Sequence, residues 1–344
     1  MARRFSRTVL TIIAIVAVLC AAIFYGVYHL LNKARPYALG EHCQVRTSLG
    51  TLDLEIEQAQ VAATIAAVAT RRKLPERALE IAYITAIQES KLLNLPFGDR
   101  DSVGVFQQRP SQGWGTVKQL QDPVYASQKF FAALVKVRHY QKMPLHEAAQ
   151  AVQRSADGSA YAQHEPDAKI LAPAFTGRVP KAVHCWYPPP GKPVADQPAK
   201  ARKELARALG PAVSGSSTAS PGDRSGGTKR DTADPTGGTK TGAADPAART
   251  TAGTGGTTAS PAGRPTATTS DVADKSGRAA QGGRERISVS TERRGWQIAS
   301  WSVAHAQKYG LREVRYGGVK WRSASGHDGW LPDSTAATTQ VDLA

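Results

Sequence analysis

Between Pro188 and Gly295 the chain has no aromatic residue at all; the stretch is Gly, Thr, Ala, Pro, Ser and Asp with scattered Lys and Arg. Such a stretch cannot bury enough apolar surface to offset the entropy of ordering its backbone. A disordered linker is predicted over 188–285, with a turn or two of helix at Ala199 to Leu209. Its root-mean-square reach is on the order of 50–60 Å, which is tether length. Length therefore overstates the folded part of these 344 residues. Cysteine is scarce, at three residues. No metal and no cofactor is expected. Acid is also in deficit, 28 Asp and Glu against 44 Lys and Arg, which leaves a formal charge of +16.

What is present begins with one apolar run. Thr8 to Asn32 is uncharged, and Val9 to Leu31 is long enough to cross a bilayer as a single helix. Arg3, Arg4 and Arg7 precede the run while only Lys33 and Arg35 close it, which favours residues 1–8 inside and the bulk of the chain outside. An uncleaved anchor over 9–31 in the cell membrane is the expectation, and a cleaved signal peptide is the alternative. The run is long for a signal peptide, and no clean small-x-small site follows it. Outside the membrane nucleic acid is excluded as a partner, and the positive charge suits anionic wall polymers and lipid headgroups. Cys20 lies within the run. Cys43 and Cys185 bracket the first folded region and read as one disulfide in an oxidising compartment, with two separate buried thiols as the alternative.

Periodicity outlines a mostly helical domain over 43–187. Cys43–Arg46 and Thr51–Ile56 alternate in the strand manner around Leu49-Gly50, a small hairpin. Val61, Ile65 and Val68 recur at helical spacing between Gln58 and Arg72, and Pro75 opens a second helix that runs to Glu89. Asp122-Pro123 caps a third, and shorter helices follow at Leu145 to Arg154 and Tyr161 to Leu171. Order returns at 286–344 as a small α+β module: a strand at Arg286–Ser290, a helix from Trp296 to Tyr309, and strands Glu313–Tyr316 and Val319–Arg322 paired across Gly317-Gly318. Four of the six tryptophans lie in this module. A module below about 70 residues is marginal alone. Its reading is a binding or spacing unit, or a stability cap.

The chemistry concentrates in Ala86-Ile87-Gln88-Glu89-Ser90-Lys91, a carboxylate closing an apolar helix, followed by Gly104-Val105-Phe106-Gln107-Gln108, a glycine turn with an amide. Together these resemble the Glu-Ser and Gly-Leu-Met-Gln motifs of soluble lytic transglycosylases and the wider lysozyme-like superfamily, over roughly Ala59 to Ala172. The resemblance implies a lysozyme-like fold that cleaves peptidoglycan glycan strands, with Glu89 as general acid and then base. Ser90 would orient the carboxylate, Gly104 would let the backbone approach closely, and Gln107 would bind near the acid or the sugar. The family's third motif, Ala-Tyr-Asn before a glycine, stands here as Ala151-Val152-Gln153 with Ser155 following, and Tyr161 is the candidate replacement for its tyrosine.

Other residues frame the same site. Asp99-Arg100-Asp101 offers a second carboxylate, as in an inverting hydrolase, or a loop brace through Arg100. Arg109 could meet a peptide or lactyl carboxylate, and Trp114, flanked by glycines, could stack on a sugar face or pack its loop onto the domain. His139, His146 and His164 show no ligand spacing. The reading is a membrane-anchored enzyme of the cell wall; a lysozyme-like wall-binding or scaffold protein without turnover is the alternative.

Overall fold

The structure, a computed structural model, describes residues 7–38, 40–154, 158–187, 195–210 and 283–344. Residues 1–6, Ser155 and all of the expected linker outside 195–210 and 283–285 lie beyond the described residues. The chain begins with α1 (Arg7–Ala38), whose Ile12–His29 window has a mean hydropathy of 2.3 and is long and apolar enough to cross a membrane. The hairpin β1 (His42–Thr47) and β2 (Gly50–Leu54) follows, then α2 (Ile56–Arg71) and α3 (Glu76–Ser90). Next come α4 (Val117–Leu120), α5 (Pro123–Leu134), α6 (Leu145–Gln153), α7 (Ser159–Ala162), α8 (Glu165–Phe175) and β3 (Val183–Trp186). After α9 (Pro198–Leu209), the tail holds β4 (Glu285–Ser288), α10 (Glu292–Ala304), α11 (Ala306–Tyr309), β5 (Glu313–Tyr316), β6 (Val319–Arg322), β7 (Leu331–Pro332) and β8 (Gln340–Leu343). The described residues are mostly helical, with two small antiparallel sheets.

Local chemistry explains most element ends. Gln58 Oε1 accepts the Glu55 N–H at 2.8 Å where α2 begins, one half of a capping box. Pro123 sits in the first turn of α5, and Asp122 Oδ1 accepts the Val124 N–H at 3.0 Å. Six alanines of α2 are buried, so α3, α5, α8, α9 and α10 can all approach it closely. The expected helix at Tyr161 to Leu171 is instead two, α7 and α8, broken at Gln163-His164 just ahead of Pro166.

The first sheet has the order β2-β1-β3. Cys43 and Cys185 are register partners in it and form the disulfide, across a sequence separation of 142. The second sheet, β4-β8-β5-β6-β7, places β8 between β4 and β5 and contains the expected β5–β6 hairpin. The edge of β3 is closed by the tail: Trp321 Nε1 donates to Cys185 O at 3.0 Å and Trp330 Nε1 to Val183 O at 2.9 Å. Gly326 approaches so closely that a Cβ there would lie 2.0 Å from Cys185 O. Tyr187 Oη donates to Val303 O at 2.6 Å, and Gln297 Nε2 to Thr70 Oγ1 at 2.8 Å. One hydrophobic core runs from Cys43 and Val45 through α2 and α3 to Trp301, Trp321 and Leu343.

One boundary needs correction. Pro198–Leu209, placed in the linker with only a turn or two of helix, is a complete helix whose Ala201, Leu205, Ala208 and Leu209 are buried. Their i, i+4, i+7, i+8 spacing makes one apolar stripe, and it packs on α2.

Candidate active site around Glu89

The last three side chains of α3 are each fastened to a different segment. Gln88 Oε1 meets His164 Nε2 at 2.9 Å, at the junction of α7 and α8. Glu89 Oε1 accepts a hydrogen bond from Tyr161 Oη at 2.7 Å. Ser90 Oγ, buried, donates to Val105 O at 2.8 Å and to Ala86 O at 3.0 Å. The helix stops because Lys91 turns left-handed, with φ of 55°, and its N–H bonds Ile87 O while that of Leu92 bonds Ala86 O. Glu89 is thus half-buried at a fixed helix end, with a phenol as its direct partner.

The following loop is braced from several sides. Asn94 N–H donates to Glu57 Oε1 at 3.0 Å, Asn94 Nδ2 to Gln121 O at 2.8 Å, and Gln121 Nε2 to Leu95 O at 2.7 Å. Val103 and Gln108 exchange backbone hydrogen bonds at 3.1 Å, closing a tight turn over residues 103–108. Gly104 within it has φ of 79°, and a Cβ there would lie 2.3 Å from Leu120 O, so only glycine fits. Gln153 Nε2 donates to Phe106 O at 2.8 Å, and the Phe106 ring stacks on Phe130 at 4.4 Å.

The structure distributes the sequence-predicted site residues unevenly. Glu89, Ser90 and the turn carrying Gly104 and Gln107 come together. Ser90 reaches Glu89's surroundings through Val105 rather than through the carboxylate, so it anchors the turn to α3. Gln107 spends its amide on the loop, donating to Gly104 O at 3.1 Å and Phe97 O at 3.3 Å and accepting from Ser102 Oγ at 3.0 Å. Arg109 Nε pairs with Asp101 Oδ1 at 2.8 Å, and Asp101 also accepts from Ser111 N at 2.7 Å and Ser111 Oγ at 3.0 Å. The Arg109 bond first, and those from Ser111 after it, hold the Asp101 carboxyl well below the ordinary carboxylate range. Asp99 is exposed and lies 3.9 Å from Arg100. Among the described contacts neither aspartate is joined to Glu89. Trp114, half-buried, opens onto a separate cavity of about 480 Å³ with Lys129, Lys136, Val152 and Arg154.

Two further residues support the site. Gln153 takes part through Phe106 O, although the sequence marked it only as a departure from a motif. His164 braces Gln88, and burial pushes its imidazole below the usual value. Among the described residues no group of three or more His, Cys, Asp or Glu stands ready to hold a metal ion. A glutamate fixed by a phenol at a helix end beside a rigid turn can give and take one proton at a defined place. A scan against protein-family models and a search of curated proteins find no match to this chain.

Proposed function

We propose that this protein is a membrane-anchored enzyme of lysozyme-like type, which cleaves the bond between muramic acid and glucosamine in peptidoglycan. The Tyr161–Glu89 hydrogen bond carries the reading, since it supplies from a different position the tyrosine that the Ala151-Val152-Gln153 segment lacks. Glu89 gives its proton to the glycosidic oxygen as the C1–O bond breaks. The resulting carboxylate takes the proton of the muramic 6-hydroxyl while that oxygen bonds C1, so a 1,6-anhydro end forms and no water is consumed. The engagement of Asp101 by Arg109 and Ser111 favours this single-acid course over a water-activating pair. α1 holds the domain to the membrane, with residues 1–8 inside and the glutamate on the wall side.

The second reading is a wall-binding scaffold of the same type without turnover. It is favoured by the commitment of the Gln107 amide and the Arg109 guanidinium to the loop itself. Digestion of purified sacculi by the full-length protein, wild type beside Glu89→Gln, distinguishes the two. Anhydro-muramic ends released by wild type alone support the transglycosylase. Reducing ends identify a hydrolase, and sacculus binding without product from either protein leaves the scaffold.

A further inference from the structure

Away from Glu89, the start of α2, the cap of α5, α9 and the residues after α10 surround a cavity of about 790 Å³. Among the described residues its wall carries five carboxylates, Glu41, Glu55, Glu57, Asp122 and Glu204, against two fixed cations, Arg207 and Lys308. Negative charge therefore collects in one place on a chain whose formal charge is +16. Arg207 is consumed internally: its Nη2 donates to Asp122 Oδ1 and its Nε to Glu204 Oε2, both at 2.9 Å. Glu41, Glu55 and Glu57 have no ion-pair partner among the described residues, although Glu41 Oε2 accepts from Gln307 Nε2 at 2.7 Å and Glu57 Oε1 from the Asn94 N–H at 3.0 Å.

One neutral acceptor faces the same space. His305 is 4% exposed, stacks on Trp301 at 3.9 Å and uses Nδ1 on Trp301 O at 2.9 Å. A ring nitrogen that meets a carbonyl is the donor, so Nε2 is a lone-pair acceptor, and it has no partner among the described residues. Burial, more than the opposing Trp301 bond or nearby Lys308, pushes the His305 pKa down to about 3, so the ring stays neutral at physiological pH. Asn94, which also lines the cavity, commits its Nδ2 to Gln121 O, and its Oδ1 is shut away from the open space. A buried acceptor is ordinarily met by a donor. The excess of carboxylates and the open His305 nitrogen favour a ligand that brings positive charge and N–H donors. No three acidic or imidazole groups among the described residues stand close enough to share one metal ion, so the charge has to arrive on a larger ligand.

We propose that this cavity binds a ligand bearing alkylammonium groups, of the diamine or lysine-side-chain class, held by Glu41, Glu55 and Glu57 and by the free Nε2 acceptor of His305. An alkylammonium carries three donors and no acceptor, which suits a wall rich in carboxylates.

Isothermal titration of the full-length protein in detergent micelles with 1,5-diaminopentane tests this, with pentane-1,5-diol and calcium chloride as controls. The diamine should bind saturably and the diol should not. Glu41→Gln, at an exposed position, and His305→Phe, which keeps a ring against Trp301, should each weaken the diamine at least tenfold. Circular dichroism checks that the variants fold, and Glu41→Gln decides the matter if His305→Phe does not. Equal diamine affinity in wild type and Glu41→Gln overturns the proposal. So does calcium binding without diamine binding. Cleavage of sacculi enters neither readout, so this site and the one at Glu89 stand or fall separately.

Discussion

Tyr161 Oη stands 2.7 Å from Glu89 Oε1, a contact between residues 72 apart in the chain. The phenol comes from a four-residue helix, α7, and the carboxylate from the last turn of α3, so the distance depends on how the α7–α8 corner seats against α3. That seating is itself secured by the His164–Gln88 contact one residue away.

Tyr161→Phe removes the hydroxyl and leaves the ring. A hydrogen bond to a carboxyl that becomes charged as it gives up its proton contributes roughly 1.5–3 kcal/mol in that state. Loss of this one should lower kcat for muropeptide release by about 10- to 100-fold, with KM little changed. Anhydro-muropeptide release followed by chromatography gives both constants, and a melting temperature near wild type separates positioning of Glu89 from simple destabilisation. An equal fall in Tm and rate would remove Tyr161 from the site.

Asp101 should show its role through acid. Its folded pKa lies below the unfolded value of about 3.9, so its stabilisation is present above that value and is lost as pH falls through the folded pKa. Asp101→Asn should therefore melt below wild type at pH 7, and the gap should close only under strongly acidic conditions. Paired melting curves from pH 7 down to about pH 2 check the sign. Sugar-polymer cleavage by Asp101→Asn, measured on a folded sample, should fall less than in Glu89→Gln.

The Cys43–Cys185 bridge closes a long loop, with 142 residues of separation. The chain-entropy model puts its contribution at up to about 5 kcal/mol. Replacing both cysteines by serine should shift the urea midpoint markedly downward. An unchanged midpoint would mean that the tail and the helical core hold β1 against β3 without the bridge.

Two indoles bonded to one strand make a graded prediction. Trp321 is fully buried and Trp330 half-buried, although each donates to a carbonyl of β3. Trp321→Phe leaves Cys185 O without its donor and should cost about 1–3 kcal/mol; Trp330→Phe should cost less. Because the tail shares a core with the helices, tryptophan fluorescence and far-ultraviolet dichroism should report one coincident unfolding transition. Two separated transitions would show that the tail docks as an independent unit.

Where local signals govern, the sequence read well. Asp122-Pro123 announced α5, Pro75 the start of α3, and Gly317-Gly318 the β5–β6 hairpin, because caps and turns are written in adjacent residues. Glu89 and the Gly104 turn were legible for the same reason, being a helix end and a φ of 79°. What escaped depends on partners distant in the chain. α9 is amphipathic but poor in large apolar residues, and its stripe has meaning only against α2. β8 gives no strand pattern that local reading isolated, yet it joins β4 to β5. At the site, Arg109 and Gln107 looked free for a ligand because Asp101 and the Phe97 carbonyl meet them only once the loop closes.

The hydrogen bonds to β3 span 136 and 147 residues, from its carbonyls forward to the tail. During synthesis the strand therefore emerges well before its cover does. Through that interval β3 carries a bare edge, the kind of surface on which neighbouring molecules add strands to one another. Synthesis that halts before Trp321 would leave a chain that can form its disulfide and its glutamate helix, yet stays prone to self-association. Delivery of the last few dozen residues, rather than formation of the bridge, marks the moment at which a single molecule becomes closed to its copies.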